Sequence, residues 1–180
     1  SRGLGDVYKR QALDIVNEDI VEIDFLNFID NRKTNFEGNI TILNFLGDKP
    51  MENITGALNL KELVYDKFKG FKKFQIISIS SLNSEKSLKS VKRELLKSDE
   101  LKYWFFATAS DEEINKIYSS LRNQNELDSS NYTSEVYIID KQRNQRGRID
   151  DRDNNQIENK IDPFGSVSYT HLTLPTILRV

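Results

Sequence analysis

The sequence predicts one α/β domain: a central mixed sheet with flanking helices. Two short, almost continuous apolar runs, Ile40–Leu46 and Phe74–Ser80, read as central strands covered on both faces. Between Asn39 and Leu121 strand-like and helical patterns alternate, which is the mark of consecutive βα units with right-handed crossovers. A strand, turn and strand pattern from Glu135 to Ile149 then supplies an antiparallel hairpin. At 180 residues the chain is about one domain long, enough to bury roughly two thirds of its unfolded surface.

Each element has its own residue-level reason. Val21–Asn27 (VEIDFLN) alternates apolar and acidic residues, placing Val21, Ile23 and Phe25 on one face of a half-buried strand. Asp30, Asn31 and Arg32 form a polar turn. Ile40, Ile42 and Phe45, with Leu43 and Leu46 interleaved, make the first central strand, which Gly47-Asp48-Lys49-Pro50 ends abruptly. From Ala57 to Phe68 the residues Leu60, Leu63, Val64 and Phe68 keep helical spacing, and Gly70 is the expected stop. Phe74–Ser80 carries Ile76, Ile77 and Ile79. Asn83 or Ser84 caps a helix to about Lys97, striped by Leu88, Val91, Leu95 and Leu96. Tyr103–Thr108 is an aromatic strand, and Ser110-Asp111-Glu112-Glu113 is a capping-box start for a helix through Leu121. Asn123–Asn131 is a polar loop; Glu135–Asp140 and Gln145–Ile149 flank the turn Lys141–Asn144. After Asp150 no apolar face is sustained.

The two ends stand apart. Ser1–Gln11 and Ser166–Val180 carry no amphipathic period and resemble the adapter read-through found at the edges of reading frames assembled from environmental DNA. The expected organisation is thus a non-native leader (1–11), a truncated domain (12–165) and a non-native tail (166–180) of a metagenomic fragment. The single histidine, His171, falls in that tail, and the chain has no cysteine, so disulfide, thiol-nucleophile and zinc-thiolate chemistry are excluded. The whole chain has net charge −2; without the ends the acidic excess rises to five, because Arg2, Lys9, Arg10 and Arg179 leave with only Asp6. A mildly acidic body argues against nucleic acid as a partner. No window reaches the ~18 consecutive apolar residues of a membrane span.

Three segments carry a family resemblance. Ile40–Ile54 (ITILNFLGDKPMENI) places an apolar strand before a helical start; Phe74–Tyr118 continues through a strand, a helix, a Trp-containing strand and another helix; Tyr132–Asp153 (YTSEVYIIDKQRNQRGRIDDRD) ends in an Asp-Lys turn and an Arg-Gly strand. Together they resemble the Sco/SenC branch of the thioredoxin superfamily over roughly Val21–Asp153. The resemblance implies a thioredoxin-like fold, a membrane tether facing the periplasm, a part in respiratory-oxidase assembly, and a copper site of two cysteines and one histidine. In this chain Pro50 and Ile54 stand where the cysteines would be, and Tyr132 where the histidine would be. Copper(I) needs soft thiolate or imidazole donors, which Met51 alone does not replace, and disulfide exchange needs a thiolate.

The sequence therefore points to a redox-inactive Sco/SenC-like protein of the bacterial cell envelope, periplasmic side, with the cytoplasm as the alternative location. The expected role is a non-catalytic interaction or assembly factor. Its surface would be the corner of Asp48, Lys49 and Met51 together with the Tyr132 loop, and its partners would be proteins such as oxidase assembly components. No catalytic residue, cofactor or metal ligand is expected, no nucleic acid, and contact with a membrane only through an anchor outside this fragment. Two alternatives stand beside it. One is an enzyme of unknown chemistry in which Asp48, Lys49 and Tyr132 converge as an acid/base group. The other is a copper chaperone with non-standard ligands, drawing on His171 and Met51.

Other clusters have simpler explanations. Asp151, Asp153, Asn155 and Asp162 approach calcium-loop spacing, but Gln156 sits where that loop needs glycine. Arg143, Arg146, Arg148 and Arg152 read as an ion-pair network with Asp150 and Asp151. The lysines around Phe68, Phe71 and Phe74 read as solvated stems beside core rings, and Trp104 with Phe105 and Phe106 as core. Asn39, Asn53 and Asn131 open glycosylation triplets that an AT-rich composition produces readily.

Overall fold

The computed structural model describes residues 13–97, 100–123 and 126–147, together with the backbone of 166–168. Strand β4 (Ile40–Gly47) and strand β5 (Phe74–Ser81) are buried at every position, the two-sided coverage that their apolar runs imply. They pair in parallel, and β5 pairs in parallel with β6 (Trp104–Ala109). On the other side of β4, β7 (Tyr132–Ile139) runs antiparallel, followed by β8 (Gln145–Gly147) and β1 (Asp14–Asn17), giving the order β1-β8-β7-β4-β5-β6. A short strand β9 (Ser166–Ser168) also pairs antiparallel with β7, opposite Glu135–Tyr137. The hairpin β2 (Phe25–Leu26) and β3 (Lys33–Thr34) forms its own small sheet.

Helices cover both faces. On one lies a continuous helical stretch: a 3-10 turn at Pro50–Asn53, α1 (Ile54–Leu60), a π segment at Lys61–Tyr65 and α2 (Asp66–Phe68). In the π segment Asp66 N–H reaches back to the Lys61 carbonyl, and the buried Lys61 ammonium meets the partly exposed Asp66 carboxylate at 3.0 Å. The same face holds α3 (Glu85–Leu95), whose Leu88, Val91 and Leu95 join Ile42, Ile76, Trp104 and Phe106 in one core. The opposite face is closed by α4 (Asp111–Ser120), Ile20, Phe25 and Phe36 over Leu43, Phe45, Ile77 and Tyr137.

A polar relay crosses the first core. Trp104 Nε1 donates to Ser78 Oγ at 2.8 Å, and Ser78 Oγ donates to Asn44 Oδ1 at 2.6 Å. Buried polar groups in this position tie three strands to one register, since a slip of one residue would leave all of them unpaired.

Three expectations are corrected. Val21–Asn27 is not a strand beyond Phe25–Leu26: Asp19 takes φ +55°, and the Glu22 carboxylate accepts from the N–H groups of Phe36 and Glu37 at 2.9 and 2.8 Å. Its alternation reflects burial of Phe25, which the short β2–β3 ladder holds, and partial burial of Val21 and Ile23 without a ladder. β1 is an added edge strand, invisible in sequence because only Val16 is buried. Gly70 does not take a left-handed conformation; Lys73, at φ +67°, does so just before β5. The capping box is present as expected, with Ser110 Oγ accepting from Glu113 N–H at 3.2 Å and Glu113 Oε2 from Ser110 N–H at 3.0 Å.

Candidate functional site

The corner after β4 begins at a residue that only glycine fits. Gly47 has φ +75°, and a Cβ there would lie 2.5 Å from the Ser130 carbonyl oxygen and 3.0 Å from Tyr132 Cβ. The register explains the closeness: Leu46 faces Tyr132, while Asn44 faces Val136, so β7 carries extra residues opposite the end of β4. Asp48 N–H then donates to the Ser130 carbonyl at 2.8 Å. The chain turns through Lys49 into the 3-10 segment, where Asn53 Nδ2 donates to the Leu46 carbonyl at 3.0 Å.

The carboxyl ends of β4, β5 and β6 meet here around a cleft of about 320 Å³ lined by Asp48, Ser81, Leu82, Asn83, Ser110 and Asp111. Clefts at the carboxyl ends of parallel strands are the usual ligand position of open α/β sheets. Ser81 Oγ donates to the Asp48 carboxylate in a short hydrogen bond. Asn131 Nδ2 donates to Asp111 Oδ1 at 2.8 Å and reaches Ser81 Oγ at 3.4 Å. The loop before Tyr132 is organised by Asp128, whose Oδ1 accepts from Ser130 N–H (2.8 Å), Ser130 Oγ (2.7 Å) and Tyr132 N–H (2.9 Å). Burial pushes the Asp128 carboxyl up, but the donors from Tyr132 and Ser130 outweigh it and hold it below the usual aspartate value. Desolvation, followed by the charge of Asp128, raises the Tyr132 phenol.

The structure thus brings the corner and the Tyr132 loop together, as the sequence reading placed them. Pro50 is buried at the start of the 3-10 turn, Ile54 packs against the core, and Tyr132 is half-buried beside Gly47. Lys49 and Met51 point outward: the Lys49 ammonium lies 3.9 Å from Glu52 with both side chains mostly exposed, and Met51 is 38% exposed while its N–H donates to Ser87 Oγ at 3.1 Å. The proposed acid/base trio does not form a hydrogen-bonded unit, since Asp48 is engaged by Ser81 and Lys49 turns to Glu52. Ser81, Asp111 and Asn131 were missed as site residues; their one sequence signal is position at strand ends, where βα loops converge.

Among the described residues no three His, Asp or Glu side chains gather in a way that could hold a metal, and no helix is long and apolar enough to cross a membrane. Two carboxylates, a hydroxyl and a carboxamide provide hard oxygen and nitrogen groups suited to hydrogen bonding. Two of the four arginines are described: Arg146 is in a structural ion pair with Asp140 at 2.7 Å, and Arg143 donates to the Ile20 carbonyl at 3.0 Å. Arg148, Arg152, Asp150, Asp151 and the calcium-like spacing of Asp153, Asn155 and Asp162 lie outside the described residues, as does His171. Phe68, Phe74 and Trp104 are core as read, whereas Phe71 is 43% exposed.

No protein-family pattern and no curated protein matches the sequence. Solved structures do. A protein of Aquifex aeolicus assigned to electron transfer superposes with TM-score 0.54 at 14% identity, covering 94% of this chain and 96% of its own. A thiol:disulfide interchange protein from Bacteroides gives TM-score 0.50 at 14% identity over 72% of this chain and 77% of its own. The soluble domain of a Sco protein from Bacillus subtilis is also a neighbour, with TM-score 0.49 at 18% identity over 77% of this chain and 83% of its own. The first two alone carry the conclusion, which concerns fold: this cysteine-free chain has the thioredoxin-like α/β fold.

Proposed function

We propose that the chain is a redox-silent thioredoxin-fold protein of Sco/SenC type that acts by recognising another protein, as an assembly factor of the bacterial cell envelope related to respiratory-oxidase assembly. The observation that carries the reading is the state of the corner. The strand, bulge, turn and helix are intact, and Pro50, Ile54 and Tyr132, the residues that the resemblance sets at the three soft-ligand positions, are buried, packed against the core and half-buried. The hydrogen bonds linking Asp48, Ser81, Asn131 and Asp111 hold this surface in one shape, which suits recognition because little ordering entropy is lost on binding. Lys49 and Met51 stand at its exposed rim and are the contact residues of the proposal.

Two measurements test it together. Purified oxidase subunits are offered to the immobilised protein and to its Lys49→Glu/Met51→Asp variant. Retention by the first and loss by the second is the expected result; equal retention or none defeats the interaction reading. Copper(I) titration in the same buffer should show no stoichiometric binding, and tight binding would establish a copper chaperone with other ligands.

A further inference from the structure

A second surface lies away from the corner, and nothing in the reading above uses it. Strand β6 is the outer edge of the main sheet, and the β2–β3 hairpin covers only part of that edge. Phe106 turns both backbone groups outward there: its carbonyl accepts from Phe28 N–H at 3.0 Å, and its N–H donates to Asn27 Oδ1 at 3.3 Å. With the strand period of two, the next outward pair belongs to Thr108, and no described residue hydrogen-bonds it. Thr108 instead faces a groove of about 730 Å³ between the hairpin and α3.

The groove has two chemical characters. Phe28, Ile29, Leu26 and Leu96 give it an apolar lining, with Leu26 45% and Leu96 40% exposed. Lys89, Lys92 and Arg93, spaced along one side of α3, give it positive charge. None of the three forms an ion pair with a described residue; Lys89 lies 5.9 Å over the Phe28 ring, and Asp30, whose charge acts on Lys92, is held by Arg32 at 2.7 Å. Glu85 is the one acid among the lining residues.

We infer that this groove docks an extended segment of a partner protein that carries apolar and acidic residues at every second position, on the one face turned to α3, its backbone pairing with Thr108 at the β6 edge. Unpaired edge groups are a template for strand addition, and side-chain pockets beside them supply the specificity. The occupant's apolar side chains would rest on Phe28, Ile29 and Leu96, and its carboxylates would meet Lys89, Lys92 and Arg93. A concave groove with an open strand edge favours a peptide over a membrane surface, and the net charge of −2 disfavours nucleic acid.

The test uses the full chain labelled with nitrogen-15 and a peptide of about eight residues that carries leucine and glutamate in turn at every second position, with serine between them. Expected are saturable amide shifts confined to Leu26, Phe28, Lys89 and Thr108, together with slowed hydrogen exchange of the Thr108 amide. The Lys89→Glu/Arg93→Glu variant, changed only at exposed positions, should bind roughly tenfold or more weakly while keeping its unperturbed spectrum elsewhere. Shifts without slowed Thr108 exchange would remove the strand-addition proposal. Equal binding of a leucine–lysine peptide, or equal affinity of the variant, would overturn the charge argument. Tighter binding to phosphatidylglycerol vesicles or to a single-stranded oligonucleotide would reassign the surface.

Discussion

The corner after β4 and the groove beside β6 sit at the same sheet yet treat their polar groups in opposite ways. At the corner the backbone and side-chain groups of Asp48, Ser81, Asp128, Asn131 and Asp111 engage one another, and Gly47 brings two strands into contact distance. At the groove three cations and the outward backbone of Thr108 find no such partners among the described residues. Closed polar networks fix a shape, whereas open ones leave binding energy for a ligand. Changes at the corner should therefore alter stability first, and changes at the groove should alter binding first.

The largest effect belongs to Gly47, and Gly38 provides its control. Both take positive φ, +75° and +79°, but a Cβ at Gly38 meets nothing within 4 Å. Gly38→Ala should cost only the left-handed conformation, about 1–2 kcal/mol. Gly47→Ala adds a backbone collision with Ser130 and should cost about 3 kcal/mol or more, with β4 and β7 forced apart. Urea denaturation of the two variants measures the difference; equal losses would mean that the seam between the corner and the Tyr132 loop yields easily.

Legibility in the sequence follows the same division. The βα framework was readable because β4 and β5 are buried on both faces and α3 and α4 carry regular apolar stripes, so local pattern and tertiary environment agree. Val21 and Ile23 misled because period two reports which side chains are buried, not whether the backbone has a ladder partner. β1 escaped because an edge strand with one buried residue has no pattern to show. The site was half legible. Asp48 and Tyr132 were placed together through the resemblance, but Ser81, Asp111 and Asn131 come from the end of β5, the start of α4 and the loop before β7, and only the crossover topology makes them neighbours. The groove was least legible, since the lysines of α3 read as an ordinary solvated face until the hairpin folds against it.

Asp128 should give a middle-sized effect. It accepts three hydrogen bonds at an exposed position, so Asp128→Ala is expected to cost about 1 kcal/mol after allowance for solvent. The pH dependence has a definite sign. Because the folded-state value lies below 3.8, the contribution is complete above that value and is lost as the pH falls through the lower folded one. Stability curves of the native protein and of Asp128→Asn between neutral pH and acid should therefore converge at the acid end. Parallel curves would show that the charge of Asp128 is not coupled to folding.

The smallest stability change is expected at Lys89, and its smallness is what makes it informative. Lys89 is exposed on α3, four residues after Glu85, and its one described contact is the ring of Phe28 at 5.9 Å. Lys89→Gln keeps the length and the helix propensity while removing the charge, so folding should shift by no more than about 0.5 kcal/mol. Its thermal midpoint and its affinity for the acidic peptide can be measured on one sample. An unchanged midpoint with weakened peptide binding would place Lys89 among groups held ready for a partner, the reverse of Gly47, where shape and stability cannot be separated. If the midpoint falls markedly instead, Lys89 is fastening the hairpin to α3 through Phe28, and the groove is then a closed structural seam like the corner.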